Sequence, residues 1–428
     1  MGIEKGKIAA EDLEIGYGSF NRKGRTGFDI AVTKVNGLTL PTHLPSYTIA
    51  TLPAVDAVNP GRLVRVTDKQ GGVWFDTGTA WVRVDGYERT VSTNTLLGVN
   101  VLINNTTADR NTGVGSNALK GASTAPVNTL PASGSGNVAI GSDVLSANTT
   151  GYSNTAIGLN SLNANLSGHD NVAVGKGSLM NNVSGDINTA VGANALIENL
   201  TGHDNVAVGE SALNFSTDGN FNVAVGSGAL QGSPGAAHGD YNVGVGAVTL
   251  QYNLTGDNNV AVGHGALRDN LTSNNVAVGF TALLLNTTGA NNVAIGATAL
   301  DANLTGANNV AVGTNALSAN LANNNTAVGN AALEVNTSGA ENVAIGFNAL
   351  GANIVGFDNV AVGLQALLAA TGNYNTAIGE IAGSTATTGS SNIFIGRNAQ
   401  PSSVGVSNEV TIGDASITNF RVPGVALS

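Results

Sequence analysis

The chain has 428 residues, 58 of them Gly; only 11% are charged and 4% aromatic, and the formal net charge is −11. A mean hydropathy of +0.12 and a 42% apolar fraction exclude intrinsic disorder, which needs low hydropathy together with high charge. Cys is absent, which excludes disulfide frameworks and thiolate metal sites.

The charge is unevenly placed. Residues 1–90 are nearly neutral, with 11 Lys+Arg against 10 Asp+Glu, which leaves six basic and 18 acidic residues for the rest. So basic-poor a surface suits neither a phosphate backbone nor an anionic bilayer, so neither nucleic acid nor membrane insertion is expected. The N-terminus, M-G-I-E-K-G-K, has no apolar core of a signal peptide, and no window approaches 18 continuous apolar residues, so neither leader nor membrane span is read here. Assembly in a cytoplasm is expected.

Residues 1–90 read as an attachment region. The segment N-R-K-G-R-T-G looks like an exposed basic loop, and Arg22, Lys23 and Arg25 are its candidate docking residues. Both Trp residues fall in residues 44–87, where R-L-V-R-V-T, G-V-W-F-D and A-W-V-R-V alternate with the turn segments D-K-Q-G-G and T-G-T. This predicts a small antiparallel meander with Val64 and Val66 in its core.

From Asn94 to Gly413 a 17-residue unit recurs. The copy at Asn171 reads N-V-A-V-G-K-G-S-L-M-N-N-V-S-G-D-I, and the next two begin at Asn188 and Asn205. Its Gly runs from Gly98 to Gly413. Asn stands four residues before that Gly in every unit except the last, which has Glu409. Leu stands four residues after it from Leu102 to Leu367; Gly383, Gln400 and Ile417 take that place in the last three units. A short fixed period is the mark of a solenoid, whose units bury apolar surface only by stacking. Residues 91–413 are therefore predicted to form a β-solenoid shaft, with 414–428 as a tip or cap.

Each unit reads as two short strands, N-V-A-V-G and A-L-x-x-N. The period-2 alternation of the first puts Val/Ile on one face and Ala on the other. Nineteen coils at about 4.8 Å per step give a shaft on the order of 85 Å, with Asn and Thr aligned as ladders. Three units are 16 residues long and lie 50 residues apart, ending at Gly279, Gly329 and Gly379. Two are longer, with the excess between Gly115 and Gly141 and between Gly226 and Gly246, and these are expected to bulge as side loops. A roll with two apolar faces fills its interior with one; the other needs a partner or stays exposed. Cyclic symmetry about the long axis would cover it in every copy.

The core N-[VT]-A-[VI]-G-x-x-A-L resembles the head repeats of trimeric autotransporter adhesins over about residues 94–413. That resemblance implies an all-β fold, a left-handed parallel β-roll or β-solenoid of three chains about one axis, although those heads use a 14-residue unit. Similar 17-residue arrays occur in phage tail-fibre proteins. The stretch L-P-A-V-D-A-V-N-P-G-R-L-V-R-V-T-D-K-Q-G-G-V-W-F-D-T-G-T-A-W-V-R-V is similar to a small β module of such fibres, and N-E-V-T-I-G-D-A-S-I-T-N-F-R-V-P-G-V to sequence near a fibre tip.

No enzymatic, cofactor or metal site is expected. His43, His169, His203, His238 and His264 form no H-x-H or H-E-x-x-H pair, although His169 and His203 share a register and each precedes Asp; they read as turn residues rather than ligands. The hexad V-G-x-x-A-L occurs once per coil, not on every side as in left-handed β-helix acyltransferases. The glycines open no helix after a strand, as a dinucleotide fingerprint would. Carboxylates are too scattered to argue for a glycosidase pair within one chain. The expected function is a trimeric fibre of a phage tail or related contractile particle, found on the virion tail. It would bind baseplate or neck proteins through residues 1–90 and a host-surface glycan or protein through its distal end and side loops. Lys120, Arg397, Phe420 and Arg421 are the candidate receptor contacts, because charged and aromatic side chains are otherwise scarce. The alternatives are a fragment of a bacterial surface trimeric adhesin, which would need an export signal and a barrel anchor, or a fibre-borne polysaccharide depolymerase.

Overall fold

A computed structural model of the chain describes the backbone strands within residues 13–83 and, with side chains, residues 94–101, 110–121, 134–235 and 239–419. The chain divides into two units, Met1–Arg89 and Thr90–Ser428.

The first unit carries two small sheets. In one, Val32–Val35 pairs antiparallel with both Leu13–Ile15 and Leu38–Thr39. In the other, Ser46–Tyr47 lies parallel to Leu63–Val66, which continues antiparallel through Gly72–Asp76 to Trp81–Arg83. Arg22, Lys23 and Arg25 lie outside the described residues, as do the side chains of Val64 and Val66.

The second unit is an all-β parallel solenoid. Its three-residue strands run from Thr95–Leu97 to Val410–Ile412, one per coil, each paired with the strand of the next coil. Register is conserved throughout: Ala173 lies beside Ala190, and Ala190 beside Ala207. The two insertions do not disturb it, since Thr112 still pairs with Val138 and Val223 with Val243.

Only one of the two strands expected per coil forms. The A-L-x-x-N run is a continuous turn, and the reason lies in its Leu. From Leu119 to Leu367 this residue adopts φ between 47° and 53°, and the residue two positions before it is also positive, as at Asn160 (φ 58°). Alternating backbone hands curl the chain instead of extending it. Left-handed φ costs an L-residue roughly 1–2 kcal/mol. Complete burial of the Leu side chain, as at Leu162 and Leu179, returns about 1.5–3 kcal/mol.

The interior is thin and layered. A typical coil contributes the central strand Ala, the Leu and a small residue just before it, all buried, as in Ala190, Ala195 and Leu196. Where that small residue is polar, it stays satisfied: Ser178 Oγ donates to Gly175 O (3.0 Å) and Thr249 Oγ1 to Gly246 O (3.1 Å).

Two buried Asn ladders close the coils. In the first, each Asn Oδ1 accepts from the backbone N–H of the next, as Asn171 N to Asn154 Oδ1 (3.1 Å) and Asn188 N to Asn171 Oδ1 (2.9 Å). In the second, Nδ2 of Asn182 donates to Asn165 Oδ1 (2.8 Å), and Nδ2 of Asn199 to Asn182 Oδ1 (2.7 Å). Both ladders converge on a Gly carbonyl in the same coil: Asn171 and Asn182 each donate to Gly185 O, at 2.9 and 3.0 Å. Most of the buried amides are tolerated because they are paired, although Asn199 Oδ1 and Asn303 Oδ1 are buried without a partner among the described residues.

The 16-residue coils lose a residue from this turn; the first keeps its bonds, whereas in the second Asn303 Oδ1 is left without a partner among the described residues and in the third Ala370 replaces the ladder Asn. In the first, Thr272 O receives Asn259 Nδ2 (2.8 Å) and Asn270 Nδ2 (2.6 Å) in place of a Gly carbonyl. In the last coil Glu409 N donates to Asn392 Oδ1 (2.9 Å), so the ladder accepts the substitution through its backbone. The Glu409 carboxylate meanwhile accepts from Ser402 N (2.9 Å) and from the Ser402 and Thr411 hydroxyls. The Ser402 hydroxyl bond, chiefly, holds this carboxyl below its ordinary value.

Candidate interaction surfaces

Period-2 alternation sends the strand Ala inward and its flanking Val or Ile outward. The first strand position is mostly half-buried and the third mostly exposed, as in Val206–Val208 and Val293–Ile295. Ile140, Val191, Ile295 and Ile412 are 37–45% exposed. Stacked in register, these residues form two parallel apolar columns along the solenoid. Some coils have Thr at the first position, such as Thr189 and Thr326; none has a charge at either. Two columns about 6.6 Å apart over about 85 Å cover on the order of 600 Å². That is the upper end of what monomeric proteins leave exposed.

A second surface follows the turn just ahead of the strand. Here rings from successive coils meet. Tyr152 stacks on His169, with centroids 4.6 Å apart and planes at 13°. Phe221 stacks on Tyr241 (5.0 Å, 1°), and His203 meets Phe221 edge-on (5.1 Å, 88°). Carboxylates hold the imidazoles in place. His169 Nδ1 lies 3.0 Å from Asp170 Oδ2 and its Nε2 lies 3.2 Å from Asp186 Oδ2. His203 Nδ1 lies 2.9 Å from Asp204 Oδ2. The sequence register of His169 and His203 pointed to this edge, but turn residues separated by 17, 18 or 20 positions had to be superposed before the rings came together. Among the described residues no three His, Asp or Glu side chains are placed to hold a metal ion. Further along, Phe357 and Tyr374 meet edge-on in the same turn (5.2 Å, 82°), while His264 stacks on Phe280 on another column (5.6 Å).

The residues singled out as receptor contacts do not form one site. Lys120 belongs to the coil of Gly115 and Arg397 to that of Gly396, sixteen strands apart in the stack, or about 77 Å. Lys120 adds a small attraction at Asp143, whose carboxyl is held below its ordinary value mainly by hydrogen bonds from Asn117 and then Ser142. Arg397 is exposed and pairs with Glu380 of the preceding coil (Nε to Oε2, 3.3 Å), a contact of small energetic weight. Phe420 and Arg421 lie outside the described residues, as do His43 and His238.

No family model matches the chain, and no curated protein matches it. The surfaces above are therefore read on their own chemistry.

Proposed function

We propose that the chain is the structural and receptor-binding fibre of a phage tail or a related contractile particle. Three copies wind side by side as left-handed rolls about a common axis. Residues 1–90 dock on baseplate or neck proteins, and the distal end and the insertions between Gly115 and Gly141 and between Gly226 and Gly246, of which 122–133 and 236–238 lie outside the described residues, meet a glycan or protein of the host cell surface. The chain acts without catalysis, as a virion component.

The observation that carries this reading is the uncharged Val/Ile face running the length of the solenoid. An uncharged face repeated in register on every coil is best covered by a surface with the same repeat, and a further copy of this chain supplies one. Three parallel rods sharing that face make a stiff spacer that presents each lateral feature three times, which raises avidity without new contacts. The resemblance of the N-x-A-x-G-x-x-A core to adhesin heads and tail-fibre arrays supports the same assembly.

Sedimentation equilibrium of the purified chain should give three times the monomer mass. Antibodies against residues 1–90 and 400–428 should label opposite ends of a fibre on purified particles, and the free fibre should attach to the host cell. A monomer, or absence from particles, would overturn the reading. Release of oligosaccharide from host capsule would replace it with the depolymerase.

A further inference from the structure

Five of the six coils from Tyr152 to Tyr241 place a ring on one edge of the solenoid, a ridge in two groups, Tyr152–His169 and His203–Phe221–Tyr241, separated by the coil of Asp186 and Ile187. Tyr152 is 45% exposed, Phe221 41% and Tyr241 54%, although each leans on a ring of an adjacent coil. Five coil steps of about 4.8 Å make the ridge about 24 Å long. Carboxylates alternate with the rings. Asp170 and Asp204 each give one oxygen to a His imidazole, and Asp240 Oδ1 accepts from Asn220 N (2.7 Å); each keeps its other oxygen. No Lys or Arg occurs in these turns.

Resting on the fibre reading above, we propose that this edge is a glycan-binding ridge for a linear, uncharged hexose polymer. A pyranose has an apolar C–H face and a rim of hydroxyl donors. The exposed rims of the stacked rings offer the first an apolar platform, and the free carboxylate oxygens accept from the second, as charge-assisted bonds. The rings are already locked by stacking and by the His–Asp bonds, so binding costs little side-chain entropy. Four aspartates without a Lys or Arg repel uronates, sialates and phosphorylated sugars, which selects a neutral chain.

A second copy of this protein is the other conceivable occupant, and two observations disfavour it. The ring-and-carboxylate pattern does not repeat on every coil: the corresponding residues further on are Ala290, Asn291, Ala307, Asn308, Asn323 and Asn324, and rings return only at Phe357 and Tyr374. A contact between parallel rods would repeat on every coil, as the Val/Ile columns do. Facing copies would also bring Asp170, Asp186, Asp204 and Asp240 against their equivalents.

The test is calorimetric titration of the full chain with amylose, a β-1,3-glucan, a galactan and a mannan, with polygalacturonate as the anionic control. At least one neutral polymer should bind and polygalacturonate should not. The double variant Tyr152→Ala/Tyr241→Ala should weaken that binding roughly tenfold or more, while Tyr152→Phe retains it and sedimentation stays unchanged in both. The ridge is overturned by no neutral binding, by preference for polygalacturonate, by full affinity in the double variant, or by loss of assembly in that variant. If the unsubstituted chain attaches to host cells in any of those cases, the ridge fails and the fibre reading stands; if it attaches to none, the fibre reading itself falls.

Discussion

At the scale of single residues, the solenoid depends on positions where a side chain has no room. Gly296 has φ of 140°, and a Cβ placed there would lie 2.5 Å from Gly313 O of the next coil. Neither the backbone angle nor the neighbouring carbonyl can give way. Gly296→Ala is expected to cost on the order of 3 kcal/mol. Because coils stabilise one another locally, hydrogen exchange should quicken around residues 279–313 more than at the ends of the stack. Asp301 is a different kind of misfit. Its Oδ1 is buried without a hydrogen-bond partner among the described residues. Burial pushes the Asp301 carboxyl above its ordinary value, partly opposed by a hydrogen bond from Ser318. The folded chain therefore holds that proton more tightly than the unfolded chain does. Stability conferred by the neutral acid is lost as pH rises above the ordinary carboxylate value. Asp301→Asn should accordingly melt at a higher temperature than the parent at neutral pH, and the difference should shrink in strong acid.

Between neighbouring coils, volume is conserved even where the motif is broken. In the strand Ile393–Ile395 the central Ala becomes Phe394, which is fully buried. The preceding coil has Gly383 in place of Leu, and a Cβ there would meet Phe394 Cδ2 at 2.5 Å. The large residue has moved from one wall to the other. Phe394→Ala alone should cost about 3–5 kcal/mol, and Gly383→Leu alone should clash. The double variant Phe394→Ala/Gly383→Leu restores the ordinary Ala–Leu coil and should recover much of the loss; denaturant unfolding of the four species measures that coupling. These same positions mark how far the sequence could be read. The ruler glycines, the Asn rows and the two apolar faces were legible because each repeats at a fixed offset. The single strand per coil was not, because nothing in Leu162 or Leu196 signals a left-handed φ; the closing curvature of the coil imposes it. Nor was the ring edge, since Tyr152 and His169 stand six residues before the ruler Gly and Phe221 and Tyr241 five, with different residue types at both places. The substitution of Gly383 for Leu was visible as an exception, and only the packing of Phe394 explains it.

For the molecule as a whole, the proposed trimer places the Val/Ile columns at the contacts between copies. Val208 and Val225 sit in adjacent coils, each 37% exposed, and their neighbours along the column are also apolar. Val208→Asp/Val225→Asp places two charges per copy where three copies would meet, and burying them unpaired is prohibitive. Sedimentation should show smaller species at micromolar concentration, while circular dichroism retains its β signature because the Ala/Leu interior of each coil is untouched. Persistence of the full assembly would mean that another surface joins the copies.

Strict register has one more outcome. Each coil asks of its neighbours only amides, carbonyls and an Asn oxygen at set places, so any block of coils that begins and ends in phase is interchangeable. Excising residues 297–346, one complete 50-residue group, would bring the chain after Gly296 directly to Phe347 with every bond type available again. The shortened protein should fold to a rod about 14 Å less in length, a difference that electron microscopy can read. Reach is thus adjustable in whole steps, by duplication or loss of sequence, without redesigning either end.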